Sequence, residues 1–313
     1  MSRHLKRVAA SFKSADIPDL SGKVIFITGG NTGLGKEAAL QLAKHKPANI
    51  FIGSRSKERG LAAIADIVAV VPNATLTVVP VDLASLSSVH SAAKQFLASS
   101  SRLDILMNNA GIWAGPPGLT ADGCEIHFGT NHLGHALLTK LLLPTILKTA
   151  QKPESDVRIV TLSSRLHERV PQLGIQFEKL HSTNEATWSF QRYGQSKLAN
   201  ILYSKELARR YPEITTIAVN PGIVKTGLQN GLKKSSIVAK ILAPIANIFT
   251  SVGVEEGTLN QLWAAAGPDV KTGEYYEPVG KKAPGSELSR DMKLADKLWQ
   301  WTEDELADPK FKL

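Results

Sequence analysis

The chain has 313 residues, 43% of them hydrophobic, a net charge of +9 and one cysteine, Cys124. That length supports a full buried core, and a lone thiol excludes an internal disulfide, which fits a reducing compartment. The basic residues are spread out with no aromatics interleaved among them, which argues against a nucleic-acid partner and for attraction of a phosphorylated small molecule.

Residues 1–20 read as an N-terminal extension. Met1–Ser14 lacks the continuous apolar run of a signal peptide, while its Arg, Lys and Ser content ahead of Asp16 keeps a transit peptide as a minor alternative. Lys23–Thr28 (KVIFIT) is a β-branched and aromatic run, which predicts a buried strand. Glycines follow, and Lys36–Lys44 predicts a helix with Ala38, Ala39, Leu42 and Ala43 inward. Further strands are predicted at Asn49–Ile52, Thr75–Val81, Leu103–Met107, Val157–Leu162 and Ile214–Val219, with a short seventh at Gly273–Tyr276. Helices are predicted at Ser56–Val71, Ser85–Leu97, Ala121–Leu147, with an interruption near Pro144, and Tyr193–Arg210. Cys124 reads as an inert buried thiol.

This alternation predicts one doubly wound α/β domain over residues 21–313: a mostly parallel seven-stranded sheet with helices on both faces and ligands at the carboxyl ends of the strands. Arg165–Arg192 is long for a strand-to-helix link, so it predicts a functional loop or a small helix. Segments 165–192 and 227–250 read as substrate loops, and 281–313 as a C-terminal extension. The longest apolar stretch downstream, Ile237–Phe249, is broken by Lys240 and Pro244 and is too short to span a bilayer, so no transmembrane anchor is expected. An interfacial contact there stays open, and the expected location is cytoplasmic.

Thr28-Gly29-Gly30-Asn31-Thr32-Gly33-Leu34-Gly35 closes the first strand and opens a helix. Glycines allow a tight turn and close approach to a pyrophosphate, and a helix amino end offers free N–H groups. Two registers fit, Gly29-x-x-x-Gly33-x-Gly35 and Gly33-x-Gly35-x-x-Ala38. The expected dinucleotide contacts here are Gly29, Asn31, Thr32, Gly33, Leu34 and Gly35. An NAD site carries an acid about 20 residues on, at the end of the second strand. This chain has Gly53, Ser54 and Arg55 there, with Lys57 and Arg59 behind and no carboxylate before Glu58. Arg55 can fork onto a 2′-phosphate and Ser54 can donate to it, which predicts NADP(H). Asp82, followed by Leu83, either meets the adenine amino group or caps the helix from Ser85. In Asn108-Asn109-Ala110-Gly111 small residues admit a ribose and an Asn can tie strands together, although turn formation also explains the tetrad.

Tyr193 and Lys197 stand four residues apart on a predicted helix and therefore share a face. A phenol of pKa about 10 is a poor acid or base at neutral pH. An ammonium beside it lowers that value and lets it exchange a proton with an alcohol or ketone oxygen. The pair alone is a weak signal, since the spacing is common on ordinary helices. His127, His132 and His135 fall on one predicted helix, but no acid or thiol completes a zinc set, so no metal is predicted. His167 lies in the long loop, within range of a substrate.

Five elements stand in one order: Thr28-Gly29-x-x-x-Gly33-x-Gly35, Asn108-Asn109-Ala110-Gly111, Ser163-Ser164, Tyr193-x-x-x-Lys197 and Asn220-Pro221-Gly222-x-x-x-Thr226. In this set the chain resembles the short-chain dehydrogenase/reductase family over about residues 20–280. Thr130-Asn131-His132-Leu133-Gly134-His135 resembles the retinol dehydrogenase and WW-domain oxidoreductase branch. The tail, with Gly273–Gly280 and Leu298-Trp299-Gln300-Trp301-Thr302, resembles fungal members of that branch. The resemblance implies a Rossmann fold with Tyr193 as acid/base and Lys197 lowering its pKa and holding the nicotinamide ribose. It implies Ser164, second of its pair, as donor to the substrate oxygen. It further implies Asn131 as holder of a relay water, Asp82, Leu83, Asn109, Ala110 and Gly111 along the dinucleotide, and Pro221, Gly222, Val224 and Thr226 at the nicotinamide.

The expected function is NADP(H)-dependent hydride transfer between nicotinamide and a carbonyl or alcohol carbon. Trp113, Trp188, Phe190 and the Gly227–Thr250 segment predict a lipophilic or aromatic ketone or aldehyde as small-molecule partner. The alternatives are a retinol-type dehydrogenase on a lipid and a non-catalytic dinucleotide sensor; the retained Tyr–Lys pair argues against the sensor. Ala121–Leu147 and Tyr193–Arg210 can form the dimer face usual in the family, which leaves a homodimer open.

Overall fold

The computed structural model describes residues 12–224, 252–311 and 313. Thr226, the 227–250 segment and residues 1–11 of the extension lie outside the described residues. β1 (Val24–Thr28) pairs with β2 (Asn49–Ser54) on one side and β4 (Ile105–Asn108) on the other. β3 (Leu76–Pro80) forms one edge, and β5 (Arg158–Leu162), β6 (Thr215–Val219) and β7 (Tyr275–Glu277) extend the sheet in parallel. The strand order is β3-β2-β1-β4-β5-β6-β7-β8. The order reverses between β1 and β4, and their carboxyl ends therefore open a crevice suited to a ligand.

Among the described residues the sheet has eight strands rather than the seven expected. β8 (Lys281–Lys282) runs antiparallel to β7 through Tyr276↔Lys282 and Glu277↔Lys281. Two exposed lysines carry no apolar alternation to read. The turn before them, with Gly280 at φ 62°, folds them back.

The uninterrupted apolar run of β1 serves two cores at once. Phe26 stacks on Phe51 at 6.3 Å, and Phe96 of α3 (Leu86–Ser99) stands edge-on to both. Ile25, Ile27, Ile50 and Ile52 face the opposite core, with α1 (Gly33–Ala43), α2 (Lys57–Val70) and α6 (Val254–Ala266). Each of these fully buried side chains contributes roughly 1.5–3 kcal/mol of hydrophobic stabilisation. Phe12, Ile17 and Leu20, read from sequence as part of an extension, are buried in this second core.

The helix expected from Ala121 begins later. Thr120 N–H bonds the Cys124 carbonyl at 2.8 Å and Leu119 bridges Glu125, so a turn occupies the first five residues. Helix α4 then runs through a short α-turn (Ile126–Phe128), a π-turn (Gly129–Leu133) and a regular stretch (Gly134–Ala150). Pro144 lies inside the last part without ending it; the irregularity is the π-turn, which carries Asn131. Cys124 is buried, and burial pushes its thiol pKa up.

Helix α5 (Ser189–Arg210) starts four residues before Tyr193, and the loop ahead of it holds two 3-10 turns (Arg165–Glu168, Phe177–Lys179). Two helices escape the sequence reading. α6 has no apolar stripe because it buries Thr258, Asn260 and Gln261. α7 (Met292–Glu305) buries only Ala295, Leu298, Trp299 and Thr302. Trp299 stacks on Tyr203 of α5 at 5.2 Å, and Glu303 pairs with Lys140 of α4 at 2.8 Å. The chain's own α7 thus packs on part of the α4 and α5 surface that the sequence offered for a second copy.

Candidate active site

Thr28, at the end of β1, knots the turns at the carboxyl edge. Its Oγ1 accepts the N–H groups of Asn109 and Ala110 at 3.0 Å each and lies 2.8 Å from His135 Nε2. His135 Nδ1 faces the Asn131 carbonyl at 3.1 Å, so Nδ1 carries the ring proton and Thr28 donates to Nε2. Burial lowers the pKa of this imidazole to about 4 and keeps it neutral, with the Lys197 charge acting in the same sense.

The glycine turn is compact. Gly29 has φ 66°, in the left-handed region, and a Cβ on Gly35 would overlap the Gly29 carbonyl and Asn109 Nδ2. Asn109 Nδ2 donates to the Thr28 carbonyl at 2.7 Å, which fixes the β4 turn against the glycine turn. Asn109 Oδ1 is buried without a partner. α1 starts at Gly33, and Thr32 before it makes no side-chain cap, so the first N–H groups stay free for an anion. Asn31 and Leu34 are half-buried beside them, and Gln261 of α6 donates to the Leu34 carbonyl at 3.0 Å.

At the end of β2 the structure separates two residues that the sequence groups together. Arg55 is exposed, whereas Ser54 is buried and donates its hydroxyl proton to the Ser56 carbonyl at 2.9 Å. Ser54 therefore has no free donor for a 2′-phosphate. Gly30 N–H bonds the Gly53 carbonyl at 3.2 Å, so Arg55 stands beside the glycine turn. Asp82 Oδ1 accepts Ala84 N–H at 3.0 Å in a local turn, and the cap of α3 is Ser85, not Asp82. The Leu83 carbonyl sits where a Cβ on Gly134 would collide.

Four side chains from three elements converge beyond these turns. Ser164, after β5, acts on the Tyr193 phenol and lowers its pKa, while Ser163 Oγ donates to the Lys197 carbonyl at 2.8 Å. The two serines are thereby distinguished: one faces the phenol, the other anchors α5. Lys197 is buried; its Nζ donates to the Leu162 carbonyl at 3.0 Å and lies 5.6 Å from the centroid of the Tyr193 ring. Asn131 Oδ1 accepts Ile112 N–H at 2.8 Å, and its amide donates to the Ile112 carbonyl at 3.1 Å and Ser196 Oγ at 3.0 Å. Both amide protons are thus committed, leaving one acceptor position on Oδ1. A Cβ on Gly111 would lie 3.1 Å from Asn131 Oδ1 and 3.5 Å from Lys197 Nζ, so a glycine there keeps the ground before them open.

The electrostatics differ from the expected activation of the phenol by its lysine. Burial pushes the Tyr193 pKa up, and the Ser164 hydrogen bond opposes it. Burial also lowers Lys197 to about 8. In this state Tyr193 is a protonated phenol at neutral pH and Lys197 is mostly an ammonium turned toward Leu162.

Trp113 covers the phenol, with its ring 4.8 Å from Tyr193 and 6.1 Å from Phe190. The loop that carries it is clamped at Gly115. The Gly115 carbonyl accepts Ser189 Oγ at 2.7 Å and Arg192 Nη2 at 3.1 Å, and its N–H donates to His127 Nε2 at 3.2 Å. Trp188, expected in the pocket, is 77% exposed and stands at the surface instead. Pro221 and Gly222 follow β6, and Val224 is buried and bridges Val252.

The short chain dehydrogenase family pattern matches residues 23–174. A short-chain dehydrogenase/reductase, drtF of Aspergillus calidoustus, is 38% identical over 305 residues, covering 93% of this chain and 95% of its own. The chain belongs to the short-chain dehydrogenase/reductase family. Mouse retinol dehydrogenase 12 is 36% identical, covering 90% of this chain and 85% of its own, which fits the retinol-dehydrogenase-like branch. Among solved structures, an uncharacterised protein of Mycobacterium paratuberculosis superposes with a TM-score of 0.72 at 29% identity, over 95% of this chain and 97% of that one. Short-chain dehydrogenases are oxidoreductases that use a nicotinamide dinucleotide and a small-molecule substrate. No described helix of this one is long and apolar enough to cross a membrane.

The family motifs leave several supports of this site unread. His132 Nε2 lies 3.1 Å from Thr302 Oγ1 of α7, and Asn200 donates to the same Leu162 carbonyl as Lys197, at 3.0 Å. Asn260 of α6 donates to the Asn220 carbonyl at 2.8 Å and accepts Gly280 N–H at 3.0 Å, fastening the end of β6. Their partners are remote in the chain, so the residues beside them in sequence carry no signal of these bonds.

Proposed function

We propose that this short-chain dehydrogenase is an NADP(H)-dependent reductase of lipophilic or aromatic ketones and aldehydes. The observation that carries the reading is a buried Tyr193 beneath the Trp113 ring, with the Lys197 amine 5.6 Å from the centroid of its ring. A protonated phenol suits donation to a carbonyl oxygen, which is the reductive direction; oxidation needs the phenolate first. Ser164 holds the same oxygen and stabilises the charge that develops on it. Lys197, mostly ammonium below about pH 8, supplies positive charge beside the site. Trp113 and Phe190 exclude water and give the substrate an apolar wall.

The turns fit a dinucleotide. The uncapped start of α1 and the close-packed Gly29–Gly35 turn suit a pyrophosphate, the orphaned Asn109 Oδ1 awaits a donor, and the opening at Gly111 suits a ribose. Exposed Arg55, with no acid at the end of β2, supports NADP(H) over NAD(H). When bound, the nicotinamide supplies or takes the hydride. A cytoplasmic location belongs to the same reading and rests on a single buried thiol that needs no oxidising compartment.

The test is a panel of aromatic, aliphatic and long-chain aldehydes and ketones, followed by NADPH consumption with NADH in parallel. NADPH-dependent turnover of an aromatic carbonyl, abolished in Tyr193→Phe while NADPH binding persists, is expected. Near-normal turnover by that variant removes Tyr193 from its role, and a strong NADH preference overturns the reading of Arg55.

A further inference from the structure

His167 is buried between the site and the C-terminal segment. Its Nδ1 lies 2.8 Å from the Ser164 carbonyl, and its backbone N–H donates to that carbonyl at 3.0 Å. Its Nε2 accepts Ser286 N–H at 3.1 Å. These partners fix one tautomer, because a carbonyl can only accept and an N–H can only donate: Nδ1 carries the proton and Nε2 the lone pair. The ring stands edge-on to Tyr275 of β7 at 5.1 Å, so it has no room to turn away. Ser164 Oγ meanwhile accepts Leu166 N–H at 3.2 Å and lowers the pKa of the Tyr193 phenol.

We infer that His167 is a positioning residue: it holds the main chain of Ser164 so that the serine hydroxyl meets Tyr193, and it ties that geometry to the segment at Ser286. The inference rests on the reading of Ser164 as the donor to the substrate oxygen. The carbonyl of Ser164 receives two bonds from His167, which orient the peptide unit on which the serine side chain is built. The far side of the imidazole is held by the turn that leads into α7. Order in the C-terminal segment is thereby felt at the catalytic serine, although no residue of that segment is assigned to the chemistry. Burial favours the neutral ring, with the Ser164 carbonyl bond, Glu168 and Glu277 opposing and Arg165 assisting it. Thr28, Asn109 and the glycine turn take no part in this contact, so the part of the dinucleotide that those turns hold is not touched by it.

The test separates rate from cofactor affinity. His167→Leu removes both side-chain hydrogen bonds, to the Ser164 carbonyl and from Ser286 N–H, and keeps the backbone N–H bond; kcat with NADPH and para-nitrobenzaldehyde is expected to fall roughly 10- to 100-fold, the scale of a small misplacement at a reacting centre. The Kd for NADPH, read by fluorescence in the absence of substrate, is expected to stay within about twofold, because the positioning of Ser164 does not reach the cofactor turn. His167→Asn keeps a side-chain donor near the Nδ1 position and is expected to recover most of the rate. Wild-type kcat in a folded His167→Leu overturns the inference, as does a parallel loss of kcat and NADPH affinity. If His167→Leu does not fold, Ser286→Pro is read in its place. That variant deletes the N–H facing Nε2 and requires a several-fold loss of kcat at unchanged Kd, and unchanged kcat overturns the inference. Ser164→Ala is run beside them. Full activity there refutes the role of Ser164 itself, whereas loss there with none in His167→Leu refutes only the positioning by His167.

Discussion

Lys197 is the residue whose removal should reveal most about how this site is held. Its amine falls from an ordinary 10.5 to about 8 because it is buried. At about 1.4 kcal/mol per pH unit, the folded protein carries a penalty of roughly 3 kcal/mol for keeping that ammonium. The penalty is fully present below about pH 8, where both folded and unfolded chains are protonated. It fades as the pH rises from about 8 to 10.5, because the folded chain releases its proton first, and it is gone where both are neutral. Lys197→Met keeps the apolar stem of the side chain out to the ε carbon and discards the charged nitrogen. The variant leaves no orphaned acceptor, since Asn200 Nδ2 still bonds the Leu162 carbonyl at 3.0 Å. The expected result is a catalytically dead protein that is more stable than the parent by roughly 2–3 kcal/mol at pH 7, with the gain shrinking toward pH 10.5. Urea unfolding of both proteins at pH 7 and pH 10, with m compared to show that the transition has not changed character, measures it. Equal or lower stability of Lys197→Met at pH 7, or a gain independent of pH, refutes the reasoning.

Gly35→Ala drives a methyl into the Gly29 carbonyl and the committed amide of Asn109. Overpacking of about 1–3 kcal/mol is expected, with NADPH affinity down at least about tenfold by titration; unchanged affinity would show that the turn does not contact the cofactor. Arg55→Asp should raise the NADPH KM at least about tenfold and lower that for NADH, the sign expected when a 2′-phosphate loses its fork and ribose hydroxyls gain an acceptor. Trp299→Ala removes the ring stacked on Tyr203 and should cost roughly 3–5 kcal/mol in urea unfolding, which would be contradicted by a midpoint within error of the parent.

How far the molecule could be read in advance varied with the range of the interactions. The apolar run of β1 and the glycines after it carry their meaning locally, and the sheet and the cofactor turn follow from them. The reading weakened where partners are remote. The Ser54 hydroxyl, read from sequence as a donor to a 2′-phosphate, donates to the Ser56 carbonyl at 2.9 Å, a bond set by how the chain turns after β2. The late start of α4 follows from the turn that closes at Cys124, and helical periodicity continues through that turn in sequence. α6 hides because its inner face carries Asn260 and Gln261, which satisfy backbone groups near β6 and at Leu34.

The linear order of residues by itself determined an alternating α/β chain, a glycine turn at the end of its first strand, and a Tyr–Lys pair sharing one helix face. Periodicity and spacing are properties of neighbours along the chain, so no folding is needed to see them. Only the tertiary structure decided that Ser163 Oγ is spent on the Lys197 carbonyl, that Tyr193 and Lys197 are both buried, and that buried histidines lock the carbonyls of Asn131 and Ser164. Those are matters of solvent exclusion and of partners from 3 to 119 residues apart, which exist only once the layers have closed.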